Sequence, residues 1–127
     1  MAKRPPVAKS ELEVARIVWE LGEASVRQVL DALPADRGLD FKTVQTYLRR
    51  LEAKGYLRTK TEGRTKIYLP RVRPQQVVRE VIDDLLQLLF RGESLPLFQH
   101  LIQDRGLSEN EFEQLRAMLD QMENQES

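Results

Sequence analysis

The sequence predicts a mostly α-helical chain in which three short helices lead into a β-hairpin and three further helices follow, and three observations predict it. Capping signatures of the S-x-x-E/Q form recur at Ser10, Ser25 and Ser108, each ahead of apolar residues at helical spacing. One stretch, from Tyr56 to Leu69, leaves that spacing for strand-like alternation. At Pro74 the composition changes from basic to acidic.

The elements follow in order. Ser10-Glu11-Leu12-Glu13 predicts the start of a first helix, whose apolar face holds Leu12, Val14, Ala15, Ile17, Val18, Trp19 and Leu21, with Gly22 as its stop. Trp19 is expected in the core. Ser25 and Gln28 cap a short second helix carrying Val26, Val29, Leu30 and Leu33. Residues 34–39 read as a loop, Asp40 as the N-cap of a third helix from about Phe41 to Lys54, and Gly55 as its left-handed end. Tyr56 to Thr61 and Thr65 to Leu69, separated by Glu62-Gly63-Arg64, predict a hairpin. Pro74 opens a fourth helix, Leu95 to Arg105 form a fifth, and Ser108 with Glu111 caps a sixth. Three helices and a basic hairpin are the elements of a winged helix-turn-helix domain. The expected division is a flexible arm at 1–9, a winged-helix DNA-binding domain at 10–73 and a helical dimerisation region at 74–127.

The chain has 127 residues and a formal net charge of zero. That balance hides a division. Residues 1–73 hold 16 of the 20 Lys and Arg against 9 of the 20 Asp and Glu, a net +7, so the remainder carries −7. A basic half joined to an acidic one points to a nucleic-acid footprint on the first. The absence of cysteine excludes disulfides, and one histidine leaves a structural zinc cluster without ligands. Neither a metal nor another cofactor is expected. The most apolar stretch, Val77 to Phe90, contains five charged or amide side chains, so no bilayer span is expected either. Residues 1–9 lack the apolar core of a secretion signal, which makes the cytoplasm the expected compartment.

The chemistry concentrates on the third helix. At about 100° per residue, Val44, Leu48 and Leu51 share its inner face, with Phe41 and Tyr47 at the margins. Lys42, Thr46 and Arg49 then point outward with Ala53, flanked by Thr43, Gln45 and Arg50. Such side chains suit the major groove: Arg and Lys grip guanine, Gln grips adenine, and a threonine methyl meets thymine. A merely solvated face usually mixes charges, yet Glu52 is the one acid between Phe41 and Thr61. Arg64 and Lys66 on the hairpin, with Arg58 and Lys60, have the charge and reach for phosphates. Tyr47 and Tyr68 could add hydroxyls there or pack as half-buried rings. Catalysis is not expected. Asp83 and Asp84 diverge as helix neighbours, and Ser94, Asp104 and Ser108 near His100 are caps and surface groups rather than a triad.

Beyond Pro74 the apolar residues exceed what one chain can cover. Val77, Val81, Leu85 and Leu88 on the fourth helix, and the seam Phe112, Leu115, Leu119 and Met122 on the sixth, predict a surface for a second copy.

Ser10-Glu11-Leu12-Glu13, Trp19-Glu20-Leu21-Gly22, Phe41-Lys42-Thr43-Val44-Gln45-Thr46, Leu51 to Leu57, Glu62-Gly63-Arg64 and Tyr68-Leu69-Pro70 together resemble the penicillinase-repressor family, the BlaI/MecI/CopY type. The resemblance runs in order over about residues 8 to 123. It implies a homodimeric winged-helix repressor of palindromic operators that dimerises through its C-terminal helices. It places Lys42, Thr43, Gln45 and Thr46 on the recognition helix and Arg64 in the wing. In the antibiotic-resistance branch a membrane sensor triggers proteolysis at an Asn-Phe bond, so an upstream sensor or protease is a possible partner; the matching pair here is His100-Leu101. The cysteine motifs of the copper-sensing branch are absent. The expected function is a homodimeric, sequence-specific transcriptional repressor bound to double-stranded operator DNA. The alternative is a winged helix that serves as a protein-interaction module without sequence-specific DNA binding.

Overall fold

The computed structural model describes residues 4–126. Its elements are α1 (Lys9–Leu21), α2 (Val26–Ala32), α3 (Phe41–Ala53), β1 (Leu57–Glu62), β2 (Thr65–Pro70), α4 (Pro74–Phe90), α5 (Leu95–His100) and α6 (Glu109–Glu126). A 3-10 turn spans Ala35–Arg37 and a π-helical turn spans Leu101–Arg105. The chain divides into two units between Val78 and Arg79.

In the first unit, α1, α2 and α3 pack around Val14, Val18, Val29, Val44 and Leu48, all fully buried, and the hairpin adds Leu57 and Tyr68. Ser25 caps α2 as expected: its hydroxyl accepts from the Gln28 backbone amide at 3.2 Å, and the Gln28 side-chain Oε1 accepts from the Ser25 amide at 2.9 Å. α1 starts differently. Its N-cap is Ala8, and the returning carboxylate is Glu11, which accepts from the Ala8 amide at 3.0 Å. Glu11 prevails over the expected Ser10–Glu13 box because it has a long-range partner: the Lys54 ammonium donates to it at 2.5 Å where its side chain is only 2% exposed. Trp19, expected in the core, is half-buried.

The arm expected at 1–9 is also corrected. Residues 1–3 lie outside the described residues, but from residue 4 the chain is laid against the domain. Lys54 Nζ donates to the Pro6 carbonyl at 3.0 Å, the Tyr56 hydroxyl donates to the Pro5 carbonyl at 2.8 Å, and Arg4 sits 5.4 Å over the Tyr56 ring. Lys9 is already helical.

β1 and β2 pair antiparallel, Glu62 opposite Thr65, across a tight turn in which Gly63 takes φ +62°. That conformation suits glycine. A third segment joins them. Ala24, between α1 and α2, exchanges both backbone hydrogen bonds with Tyr68 at 2.9 and 2.8 Å. No sequence period marks a one-residue bridge.

In the second unit Ser108 and Glu111 form the expected capping box at 3.1 and 3.2 Å. α4 ends where Arg91 and Gly92 both take positive φ and the Gly92 amide reaches back to the Leu86 carbonyl at 2.9 Å. The fifth helix, expected to run regularly to Arg105, instead widens into the π-helical turn after His100. From Arg79 onward no side chain among the described residues is buried. Among the described residues, no helix is long and apolar enough to cross a membrane.

Candidate nucleic-acid interface

α3 is fixed on its inner face by Val44, Leu48 and Leu51, all fully buried. Its start is fixed by Asp40, whose carboxylate accepts from the Thr43 amide at 2.8 Å. The Thr43 hydroxyl and amide together hold that carboxyl below its usual range, so the cap is charged at neutral pH.

The outward face then divides by chemistry. Lys42, Arg49 and Arg50 are exposed, Gln45 and Thr46 half-buried beside them. The Thr46 hydroxyl donates to the Lys42 carbonyl at 3.0 Å, which leaves its methyl as the group able to meet a partner. Glu52, the one acid on this helix, is turned to the hairpin, where the Thr59 hydroxyl and Lys66 ammonium donate to it at 2.9 and 3.1 Å. Burial works against its charge, but those two donors outweigh it and hold the carboxyl below its usual value.

Lys66, expected to grip phosphate, is thus engaged within the domain, and its ammonium also lies 5.3 Å from the Tyr68 ring. Lys60 is held likewise between Glu23 and Glu62 at 3.0 and 3.3 Å. Among the described residues, Lys42, Arg49, Arg50, Arg58 and Arg64 make no ion pair. They remain as the cations of α3 and the wing. Tyr68, at 1% exposure, is a core residue and offers no hydroxyl to a phosphate.

The turn before α3 is anchored as well. Arg37 grips Glu13 of α1 with Nε and a terminal nitrogen at 2.8 to 3.0 Å. This pair holds Glu13 below and Arg37 above their ordinary values. Sequence reasoning passed over a second feature at that end of α3. The Arg27 guanidinium, on α2, stands 5.4 Å over the ring of Phe41. An arginine and an exposed aromatic 14 positions apart carry no local signal.

The expected dimerisation residues fall into two sets. Val77 is 1% exposed and belongs to the first unit, so its side chain is core and not free for a second copy. Val81 and Leu115 are half-buried, and Leu85, Leu88, Phe112, Leu119 and Met122 are exposed. Leu88 reaches 80%.

No group of three or more His, Asp or Glu that could hold a metal occurs among the described residues. His100 meets Asp104 one turn on at 2.8 Å, with both side chains largely in solvent. Ser108 is spent on its cap.

A family model described as penicillinase repressor matches residues 7–121. The penicillinase repressor of Bacillus licheniformis is 27% identical over 124 residues, 98% of this chain and 97% of that protein. A 16.5 kDa protein in the ptsI 3′ region of Latilactobacillus sakei is 32% identical over 113 residues, 89% of this chain and 77% of that one. Among solved structures, the monomeric form of Bacillus licheniformis BlaI in complex with the blaP half-operator matches at 33% identity and a TM-score of 0.50, covering 59% of this chain and 92% of that one.

Proposed function

The chain belongs to the penicillinase-repressor family, which makes it a DNA-binding transcriptional repressor and not an enzyme, and we propose that it acts as a homodimer on a palindromic operator. One observation carries the proposal: α3 is locked on three sides while its outer face keeps Lys42, Gln45, Arg49 and Arg50 available. A recognition helix needs that combination, since base readout in the major groove depends on side chains held in register. The half-operator complex of the Bacillus relative supports the DNA-binding part of this reading, because that protein is 33% identical to this chain over 59% of its length.

In this account Gln45, Arg49 and the Thr46 methyl address base edges. Lys42, Arg50, Arg58 and Arg64 neutralise phosphates, with Lys66 and Thr43 in supporting roles. Two copies meet through Val81, Leu85, Leu88, Phe112, Leu115, Leu119 and Met122. An apolar surface of that extent, in a unit that buries no side chain of its own, favours an interface. The dimer sets two α3 helices on half-sites one helical turn apart, or a multiple. Occupancy of the operator then excludes polymerase in the cytoplasm. Release proceeds by a route other than cleavage at His100-Leu101, because a protease site shaped for an amide and an aromatic ring leaves its polar groups unpaired on this pair.

The test is a salt titration of the full chain on duplex DNA from upstream of its own gene, read by fluorescence anisotropy and footprinting. Protection of a two-fold symmetric site is expected, with affinity falling on a log-log slope of about −0.9 per neutralised phosphate. A flat slope with no footprint would overturn the proposal in favour of a protein-docking module.

A further inference from the structure

Phe41 is the first residue of α3 and is 40% exposed. The helix does not need it as an anchor, since Val44, Leu48 and Leu51 are fully buried without it. Its ring is not bare either, for Arg27 of α2 stands 5.4 Å over the centroid and is itself exposed. A guanidinium stacked on an aromatic face keeps its N–H groups in its own plane, where they can still donate outward.

Phe41 and Gln45 are four residues apart and share one side of α3. In a helix-turn-helix the first residues of the second helix approach base edges while the first helix crosses the phosphate backbone. Phe41 occupies the first position and Arg27 the second. A phenyl ring neither donates nor accepts, so the one feature it can recognise in the major groove is the 5-methyl group of thymine.

We infer that Phe41 and Arg27 form one composite contact, in which the Phe41 ring reads a thymine methyl and Arg27, braced on that ring, holds the adjoining phosphate. This rests on α3 being the recognition helix. It adds a specificity determinant that the cations of α3 do not provide, because a methyl group is invisible to a hydrogen-bonding side chain. It also makes the two residues interdependent: without the ring, Arg27 loses the surface that orients it.

The full-length protein first selects its preferred duplex from a randomised pool. Each thymine of that duplex is then replaced singly by uracil, which lacks only the methyl. Wild type should lose about fourfold, the value of one buried methyl, at one thymine per half-site besides any that the Thr46 methyl meets. At that thymine Phe41→Ala should bind the thymine and uracil duplexes equally, and Phe41→Leu, which keeps an apolar side chain at the start of α3, should show a reduced difference, while a thymine met by Thr46 keeps its difference in both variants. A far-UV circular dichroism spectrum and thermal melt like those of wild type identify the folded variants. Arg27→Gln should weaken all duplexes alike and flatten the salt slope by about 0.9 per protomer. Methyl discrimination in Phe41→Ala and Phe41→Leu equal to wild type would overturn the inference, as would an unchanged slope in Arg27→Gln. Failure of the underlying function looks different: wild type would select no sequence at all.

Discussion

The buried pair of Glu11 and Lys54 supports an asymmetric prediction. Lys54→Met removes the ammonium and leaves the Glu11 carboxylate at 2% exposure with only the Ala8 amide as donor. Breaking a buried pair by removing one partner costs about 3–5 kcal/mol. Lys54 is 24% exposed, so the pair is not wholly desolvated and the lower end, about 3 kcal/mol, applies. Glu11→Gln removes the charge but keeps an oxygen for both donors, and the ammonium it leaves behind can reach water. That loss is about 1 kcal/mol, the worth of an ordinary hydrogen bond. At about 4–8 °C per kcal/mol, Lys54→Met should melt at least about 12 °C below wild type and Glu11→Gln about 4–8 °C below it. Acid changes the gap. In the wild type the pair holds Glu11 below its ordinary value of 4.5, so its contribution is fully present above that value and lost as pH falls through the lowered one. In Lys54→Met burial is opposed only by the Ala8 amide and the Arg50 charge, so the carboxyl takes up a proton at higher pH than in the wild type and the stranded charge disappears. The difference between the two proteins should therefore narrow from pH 7 to pH 4. Thermal melts by far-UV circular dichroism at one fixed protomer concentration measure it. Equal losses from the two substitutions, or a gap that widens in acid, would refute the reasoning.

Arg49→Ala should relax preference at one base position by about 1–3 kcal/mol, whereas Arg64→Ala should weaken operator and random duplex alike. Lys66→Ala should do less than Arg64→Ala in the same anisotropy assay, since Glu52 already holds Lys66. The intact chain should sediment as a dimer at micromolar concentration and a chain ended at Asp84 as a folded monomer; a chain ended at Arg73 should melt several degrees lower still, because it loses the buried Val77, worth about 1.5 kcal/mol. Mass spectrometry of the protein from cells in which its target genes are induced should return intact chain, and fragments ending at His100 would contradict the proposed route of release.

Most of the elements, and the face that α3 turns outward, were legible because both follow from local signals: helical spacing, a capping hydroxyl and a glycine at a turn. What escaped is long-range. Ser10-x-x-Glu13 has the form of a capping box, but Glu11 is preferred for a partner 43 residues away. Lys66 reads as a free cation until the hairpin folds it onto Glu52. Val77 belongs to an apolar run that continues to Phe90, and nothing in the period of that run says where the first core ends and the surface begins. The Arg27–Phe41 stack and the Ala24–Tyr68 bridge likewise join residues that no spacing connects.

The bridge at Tyr68 bears on how such a protein could diversify. It pins the register of the hairpin at its base, where slipping β2 by one residue would turn the buried Tyr68 outward and break both bonds to Ala24. The tip at Gly63 and Arg64 has no such tether and is exposed on both residues. Residues inserted there lengthen the reach of the wing along the duplex and leave the core untouched. Descendants of this chain can therefore change the length of the wing at one point, while the core that holds α3 in place stays the same.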